Sequence, residues 1–395
     1  MKKMKARRTI TGCMAALWLC LGATAAGQYV PLYRGTSGTL YLNLDRIWSY
    51  NLYEQSRWGA GLRYGTLLWD VEGYAGYGML DRQLKGGVSG ALHLGGSTLY
   101  AGAARDYQAA GSRRLSVPSL RDPASLGSFM SRRMSDRMML TAGLRRQHHG
   151  YLWLAEGNVL YGGRLFCNEG LLYRVAGDTI EPETLLEARL VAQSPWGLTA
   201  QLQAGVNNPG RRAVTRLLVQ YDRQWELNPF ELQLFLQGGA TGRATPYVRM
   251  FDLGGTFGAP FCFRQSLLTA RPNEFTANVF AFLSLRFGFG RPLFEGWSRL
   301  FQIGTSPRPF IGLNAAWGHL YGQDPEGGMT WEGLNLQAPL YGIAEPMAGV
   351  EGLLRWGAVD WGAAVAWRMV PPEAPYRLTG TQDNLTLMVT ARLIF

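Results

Sequence analysis

Residues 384–395 read NLTLMVTARLIF, and their spacing decides the fold. Leu385, Leu387, Val389, Ala391, Leu393 and Phe395 take every second position, while Asn384, Thr386, Met388, Thr390, Arg392 and Ile394 fill those between. Successive side chains of an extended strand point to opposite faces. One face here is therefore apolar throughout and ends on an aromatic. A bilayer is crossed by strands of about 9–11 residues with one apolar face.

The same alternation recurs upstream. Val359, Trp361, Ala363, Val365 and Trp367 alternate with Asp360, Gly362, Ala364, Ala366 and Arg368. Ala277, Val279, Ala281, Leu283, Leu285 and Phe287 alternate with Asn278, Ser284 and Arg286, and Phe230, Leu232, Leu234 and Leu236 with Glu231, Gln233 and Gln237. Strands are predicted at 54–65, 67–79, 83–94, 97–108, 136–147, 150–161, 164–175, 184–194, 196–207, 213–225, 229–240, 275–289, 304–319, 344–356, 358–370 and 384–395. These make an all-β, transmembrane antiparallel β-barrel of about 16 strands, an even number, as closed bacterial barrels have. A soluble β-sandwich would alternate too. Three features favour the barrel: aromatics at strand ends (Trp58, Trp69, Trp196, Trp225, Trp317, Trp367), tight turns broken by occasional long loops, and the terminal Phe395. The long irregular segments are 109–135 and 241–274.

Residues 1–27 read as a signal peptide. Lys2, Lys3, Lys5, Arg7 and Arg8 precede the apolar run from Met14 to Leu21, and Ala23 and Ala25 give a small-x-small cleavage pattern. Export by the general secretory route to the cell outer membrane is expected. Residues 28–53 read as a short lead-in, a lumenal plug or an added strand, and residues 54–395 as the barrel. Beyond the leader no apolar run reaches the ~18 residues a spanning helix needs. The net charge of +11 includes five positive residues of the leader, and no basic cluster alternates with stacking aromatics, so nucleic acid is not an expected partner. Cys167 and Cys262 are the cysteines left after the leader, and their spacing does not say whether they pair.

No catalytic set, metal site or cofactor motif stands out. Ser89 and His93 share a strand face, but four residues of strand separate them by about 13 Å. Neither a nucleophile-elbow nor a zincin motif is present. The predicted lumen carries Arg57, Arg63, Arg145, Arg189, Arg216, Arg286 and Arg368 against Asp70, Glu72, Glu187, Asp222, Glu231 and Asp360. They read either as a selective pore wall or as a network of pairs that stiffens the barrel.

The run from Trp48 to Leu94, with Tyr50, Asn51, Glu54, Gly59-x-Gly61, Tyr74, Tyr77, Asp81 and Lys85, resembles the start of a Bacteroidota outer-membrane barrel family of unknown function. Asn273 to Phe289, Pro346 to Arg355, Trp367-Arg368 and Asp383-Asn384 resemble further segments of it. Larger members carry an N-terminal carboxypeptidase-regulatory-like domain. The family looks like a branch of the surface-antigen superfamily that includes the BamA and TamA assembly barrels. The resemblance implies sixteen strands and a loop that folds into the lumen after the eleventh. Val248, Arg249, Met250 and Phe251 stand where that superfamily has Val-Arg-Gly-Phe, with Met in place of Gly. Arg249 would then anchor the loop, and Asn314 stands where the acidic partner is expected. Leu393, Val389 and Phe395 would form the C-terminal signal read by the barrel-assembly machinery.

The expected role is non-enzymatic, in envelope assembly or cargo passage. The alternatives are a passive or ligand-selective pore and a membrane-embedded hydrolase. Expected partners are outer-membrane lipid, the assembly machinery and a periplasmic partner protein.

Overall fold

In the computed structural model the alternating segments become one antiparallel wall. It describes residues 29–393 except 52, 110, 112, 114, 116–132, 168–183, 209–211, 244, 255–266, 272, 290–306, 323–328, 332–333, 357–358 and 377–383. Residues 1–28, with the expected signal peptide, and Phe395 thus lie outside the described residues.

Strands β1 (Tyr29–Arg34), β2 (Thr39–Asn43) and β3 (Trp48–Asn51) lead into β4 (Gln55–Gly65), β5 (Trp69–Gly78), β6 (Leu84–Leu94), β7 (Ser97–Ala109), β8 (Arg133–His148) and β9 (Tyr151–Cys167). Then come β10 (Thr184–Gln193), β11 (Leu198–Asn208), β12 (Arg212–Leu227) and β13 (Phe230–Thr241). The short β14 (Phe251–Asp252) and β15 (Thr276–Ala277) precede β16 (Val279–Phe289) and β17 (Arg308–His319). The short β18 (Met329–Trp331) and β19 (Leu334–Leu336) precede β20 (Ile343–Trp356), β21 (Val359–Trp367) and β22 (Leu385–Leu393).

Eighteen of these segments share one sheet, and apart from β2 and β3 each pairs antiparallel with the next along the chain. β2 and β3 both pair with the same edge of β4, separated by the 3-10 turn Leu44–Arg46. Counted as one interrupted strand, they open a run of sixteen that ends at β22, with β1 laid on its edge. Among the described residues no ladder joins β22 to β1, β2 or β3.

The sixteen are not quite those read from the sequence. The predicted strand 164–175 is not separate where it is described: residues 164–167 continue β9, pairing with the start of β8. Its remainder lies outside the described residues. Residues 29–51 instead supply wall strands. The predicted strand 275–289 divides at Asn278, because β15 turns inward to pair with β14.

Inward and outward faces separate by parity. On β10, Leu185, Glu187, Arg189 and Val191 are buried, while Leu186 and Leu190 are exposed. The tight turns 66–68, 95–96, 149–150, 194–197 and 228–229 lie at one end of the wall. The connections 110–132, 168–183, 242–278, 320–342 and 368–384 leave from the other. Short periplasmic turns and longer outer loops are the rule for such barrels. Trp69, Trp196 and Trp225 sit at the tight-turn end, and Trp58, Trp317 and Trp367 at the long-loop end. Two aromatic girdles follow, as expected where amphipathic rings meet headgroups. β22 runs toward the tight-turn end; Val389 faces outward and is exposed.

Candidate functional site: the lumen

Among the described residues the inward face of the wall holds many buried polar groups, and its charged ones gather into paired clusters. Around the turn between β3 and β4, Glu54 is fully buried and accepts from Arg57 at 2.7 Å, Lys85 at 3.1 Å and Asn51. Lys85 also reaches Asp81, and Arg57 reaches Asp106. The residues Asn51, Glu54, Asp81 and Lys85, which carry the sequence resemblance, thus converge on one point. A buried charge stripped of its partner is expensive, which explains why such residue types keep company there.

A second layer crosses β7 to β12. Glu156 accepts from Tyr100 at 2.6 Å and pairs with Arg189 at 3.2 Å, Asn158 links Glu156 to Thr141, and Arg216 donates to Gln203. Arg249 docks into this layer from the loop after β13, with its guanidinium 2.8 Å from Glu187 on β10. Asn314 is not its partner. It lies fully buried on β17, in register with Ser284 and Glu345.

The far end of the same loop is held elsewhere. Glu345 on β20, itself fully buried, accepts the backbone N–H of Leu268 at 2.7 Å and of Thr269 at 2.9 Å, as well as the Thr269 hydroxyl. Arg368, just beyond β21, donates to Glu274 at 2.8 Å and to the Thr269 carbonyl at 3.0 Å. The loop therefore spans the lumen between two grips, one on β10 and one on β20–β21, six wall strands apart.

Between the grips lies an apolar core. Tyr247, Met250, Phe251, Leu253, Leu267, Phe275 and Ala277 pack on Leu218, Phe235, Phe280, Phe282, Ala316 and Ile343 of the wall. Segments of three other loops join it. Arg113, from the connection after β7, donates to the Asp252 carbonyl at 2.6 Å and to Gln237 at 2.9 Å, with its guanidinium over the rings of Phe280 and Phe282. Leu336 and Ala338 precede β20, and Ala374 and Tyr376 follow β21. Tyr376 meets Phe275 edge-on at 5.3 Å.

Sequence reading named Arg249, Glu187 and Arg368 but missed Glu345, Thr269 and Arg113. Glu345 carries a local signal: it is an acid flanked at its own parity by the buried apolar Ile343 and Met347. Thr269 and Arg113 carry none, because their contacts are irregular and distant in sequence.

The hydrolase expectation can be placed geometrically. His93 does not meet Ser89. Its Nε2 lies 2.9 Å from Asp70 and its Nδ1 3.3 Å from the Thr98 hydroxyl, directly across the ladder. The same Asp70 oxygen accepts from Arg63 at 2.9 Å, which ties the carboxylate into an ion pair. Cys167 ends β9, and Cys262 lies outside the described residues.

No family model and no curated protein matches the chain. Among solved structures, BamA from Haemophilus ducreyi lacking POTRA domains 1-3 aligns with a TM-score of 0.52 at 10% identity, over 91% of this chain and 71% of that one. CdiB from Escherichia coli aligns with a TM-score of 0.47 at 14% identity, and this chain spans 64% of its length while 91% of this chain is covered. Pseudomonas aeruginosa OccK5 (OpdH) gives 0.34 at 13% identity, over 82% and 90%. The chain has the fold of an outer-membrane β-barrel.

Proposed function

We propose that the chain acts without catalysis in the assembly of the envelope or the passage of cargo, and that it is not a standing pore. One observation carries this reading: the polar groups of the lumen wall are buried. Glu156 is 4% exposed, Asn158 3%, Gln201 2% and Glu345 0%. A water-filled channel keeps its wall wet. Here the wall faces side-chain partners and a loop gripped at both ends. The likeness to BamA concerns the fold; the N-terminal motif resembles a Bacteroidota barrel family of unknown function that looks like a branch of the superfamily holding the assembly barrels, and this points the same way as the filled lumen.

Proteoliposomes containing the purified barrel test the proposal. A denatured outer-membrane barrel supplied from outside should insert faster than into protein-free liposomes, and Glu345→Ala, which loosens the loop, should change that rate. A rate equal to that of empty liposomes, alongside a steady ion flux, would favour the pore reading instead.

A further inference from the structure

On the outward face below the long-loop rim the wall is hollowed. Two cross-strand rows meet there. One runs Val219, Gly238, Ala281, Trp317, and the other Leu236, Leu283, Ala315, Ala344, Met369. The small residues Gly238, Ala281, Ala315 and Ala344 form the floor, with Trp317 and Met369 standing beside it and Tyr341 above. The hollow holds about 980 Å³, a volume in the range of ligand clefts. Small outward residues also line up across β7–β11, from Ala101 through Ala142, Gly157 and Ala188 to Ala204; here they are bounded by Trp317, Met369 and Tyr341, and the space they leave is a cleft.

The floor is not small because packing demands it. A Cβ built on Gly238 would meet nothing nearer than the Phe280 carbonyl oxygen, at 3.5 Å, an ordinary contact. A larger residue would fit the wall and fill the groove.

A guanidinium and an imidazole stand at the upper end. Along the outward column of β17, His319 follows Trp317 by two residues, about 7 Å beyond it at the usual strand rise, and Tyr321 lies in the turn that follows the strand. The Arg243 guanidinium lies over the Tyr321 ring at 5.7 Å, and the His319 and Tyr321 rings meet at 5.9 Å. Arg243 is exposed. The groove thus opens toward hydrocarbon with positive charge at headgroup height.

We infer that this face binds a phosphorylated membrane lipid, one acyl chain in the groove and the phosphate at Arg243 and His319. Guanidinium–phosphate contacts are charge-assisted and directional, and the hollow gives the chain a fixed seat where ordinary boundary lipid slides past.

The test uses the full chain in phosphatidylcholine nanodiscs carrying a trace of phosphatidic acid with a diazirine on one acyl chain. After irradiation, adducts should concentrate on β17 and β21 near Trp317 and Met369, about tenfold over the outward positions of β6–β9, the factor that 1.4 kcal/mol of preference gives. Ala315→Phe should fill the groove and bring the labelling down to the level of the rest of the wall. Should that variant fail to fold, as read by heat-modifiable gel migration, Ala281→Val fills it from the neighbouring strand. Arg243→Gln, outside the wall, should keep the adducts but erase the preference for phosphatidic acid over diazirine-labelled phosphatidylcholine. Even labelling around the wall, or full labelling of a folded groove-filled variant, would overturn the site. Equal labelling by the two lipids in the unmodified protein would overturn the phosphate contact.

Discussion

Gly239 faces inward where the Phe251 ring needs room. A Cβ at that position would sit 2.7 Å from both Phe251 Cζ and Phe280 Cε1 and 2.9 Å from the Leu217 carbonyl oxygen. The two rings lie 4.6 Å apart. Gly239→Val should therefore push Phe251 off the wall at an overpacking cost of ~1–3 kcal/mol, seen as faster proteolysis of loop 245–277 in a barrel that still migrates as folded. Asp252, in the same loop and outside the wall strands, makes a second prediction. Burial pushes its carboxyl up to about 7 from an ordinary value of 3.8, against the pull of the Gly254 N–H and Arg113. The seated loop thus binds the proton more tightly than the released one. Seating is strongest below about pH 4, weakens as pH rises to about 7 and is level above that. Proteolysis of the loop should be slower at about pH 5 than at about pH 8, and Asp252→Asn should remove the difference; a difference that survives the substitution would refute the assignment. At this scale the sequence was half legible. The motif around Arg249 marked a loop cation meant for the lumen. Its partner Glu187 could not be found from spacing, since the contact crosses the barrel between residues 62 apart.

The loop after β13 behaves as a crossbar, and its two grips differ in kind. At β10 a single ion pair holds Arg249. At β20–β21 a carboxylate takes two backbone N–H groups, and Arg368 holds the facing acid. Glu345→Ala would strand those buried donors at ~1–3 kcal/mol each, whereas Glu345→Gln keeps an acceptor and should lose less. Hydrogen exchange at Leu268 and Thr269 reads both: quickened strongly in the first variant and weakly in the second. Identical exchange in the two would mean that Glu345 is not the grip. Wall elements were the most legible part of the chain, because the bilayer demands an apolar residue at every second position for about ten residues. The strand broken at Leu44–Arg46 escaped notice because each half, at five and four residues, is too short to show a period. The predicted strand at 164–175 begins within the end of β9, which runs for 17 residues, longer than a crossing requires.

Across the whole molecule the lumen is two-sided. The walls β4–β11 present buried acids, amides and arginines to one another; β12–β20 present Leu218, Phe235, Phe280, Phe282 and Ile343 to the crossbar. Apolar inward residues have no place in a wet channel, yet they suit a wall that carries a packed loop. The Phe280 and Phe282 pair was visible in the sequence as a break in the polar row of that strand, although only the three-dimensional arrangement says what covers it. Ion flow reads this arrangement directly. Purified barrel inserted into a planar bilayer should show little steady conductance, and the double substitution Glu345→Ala, Arg368→Ala should raise it by freeing one end of the crossbar. A large, stable open-pore conductance in the unmodified protein, unchanged by the double substitution, would contradict a filled lumen.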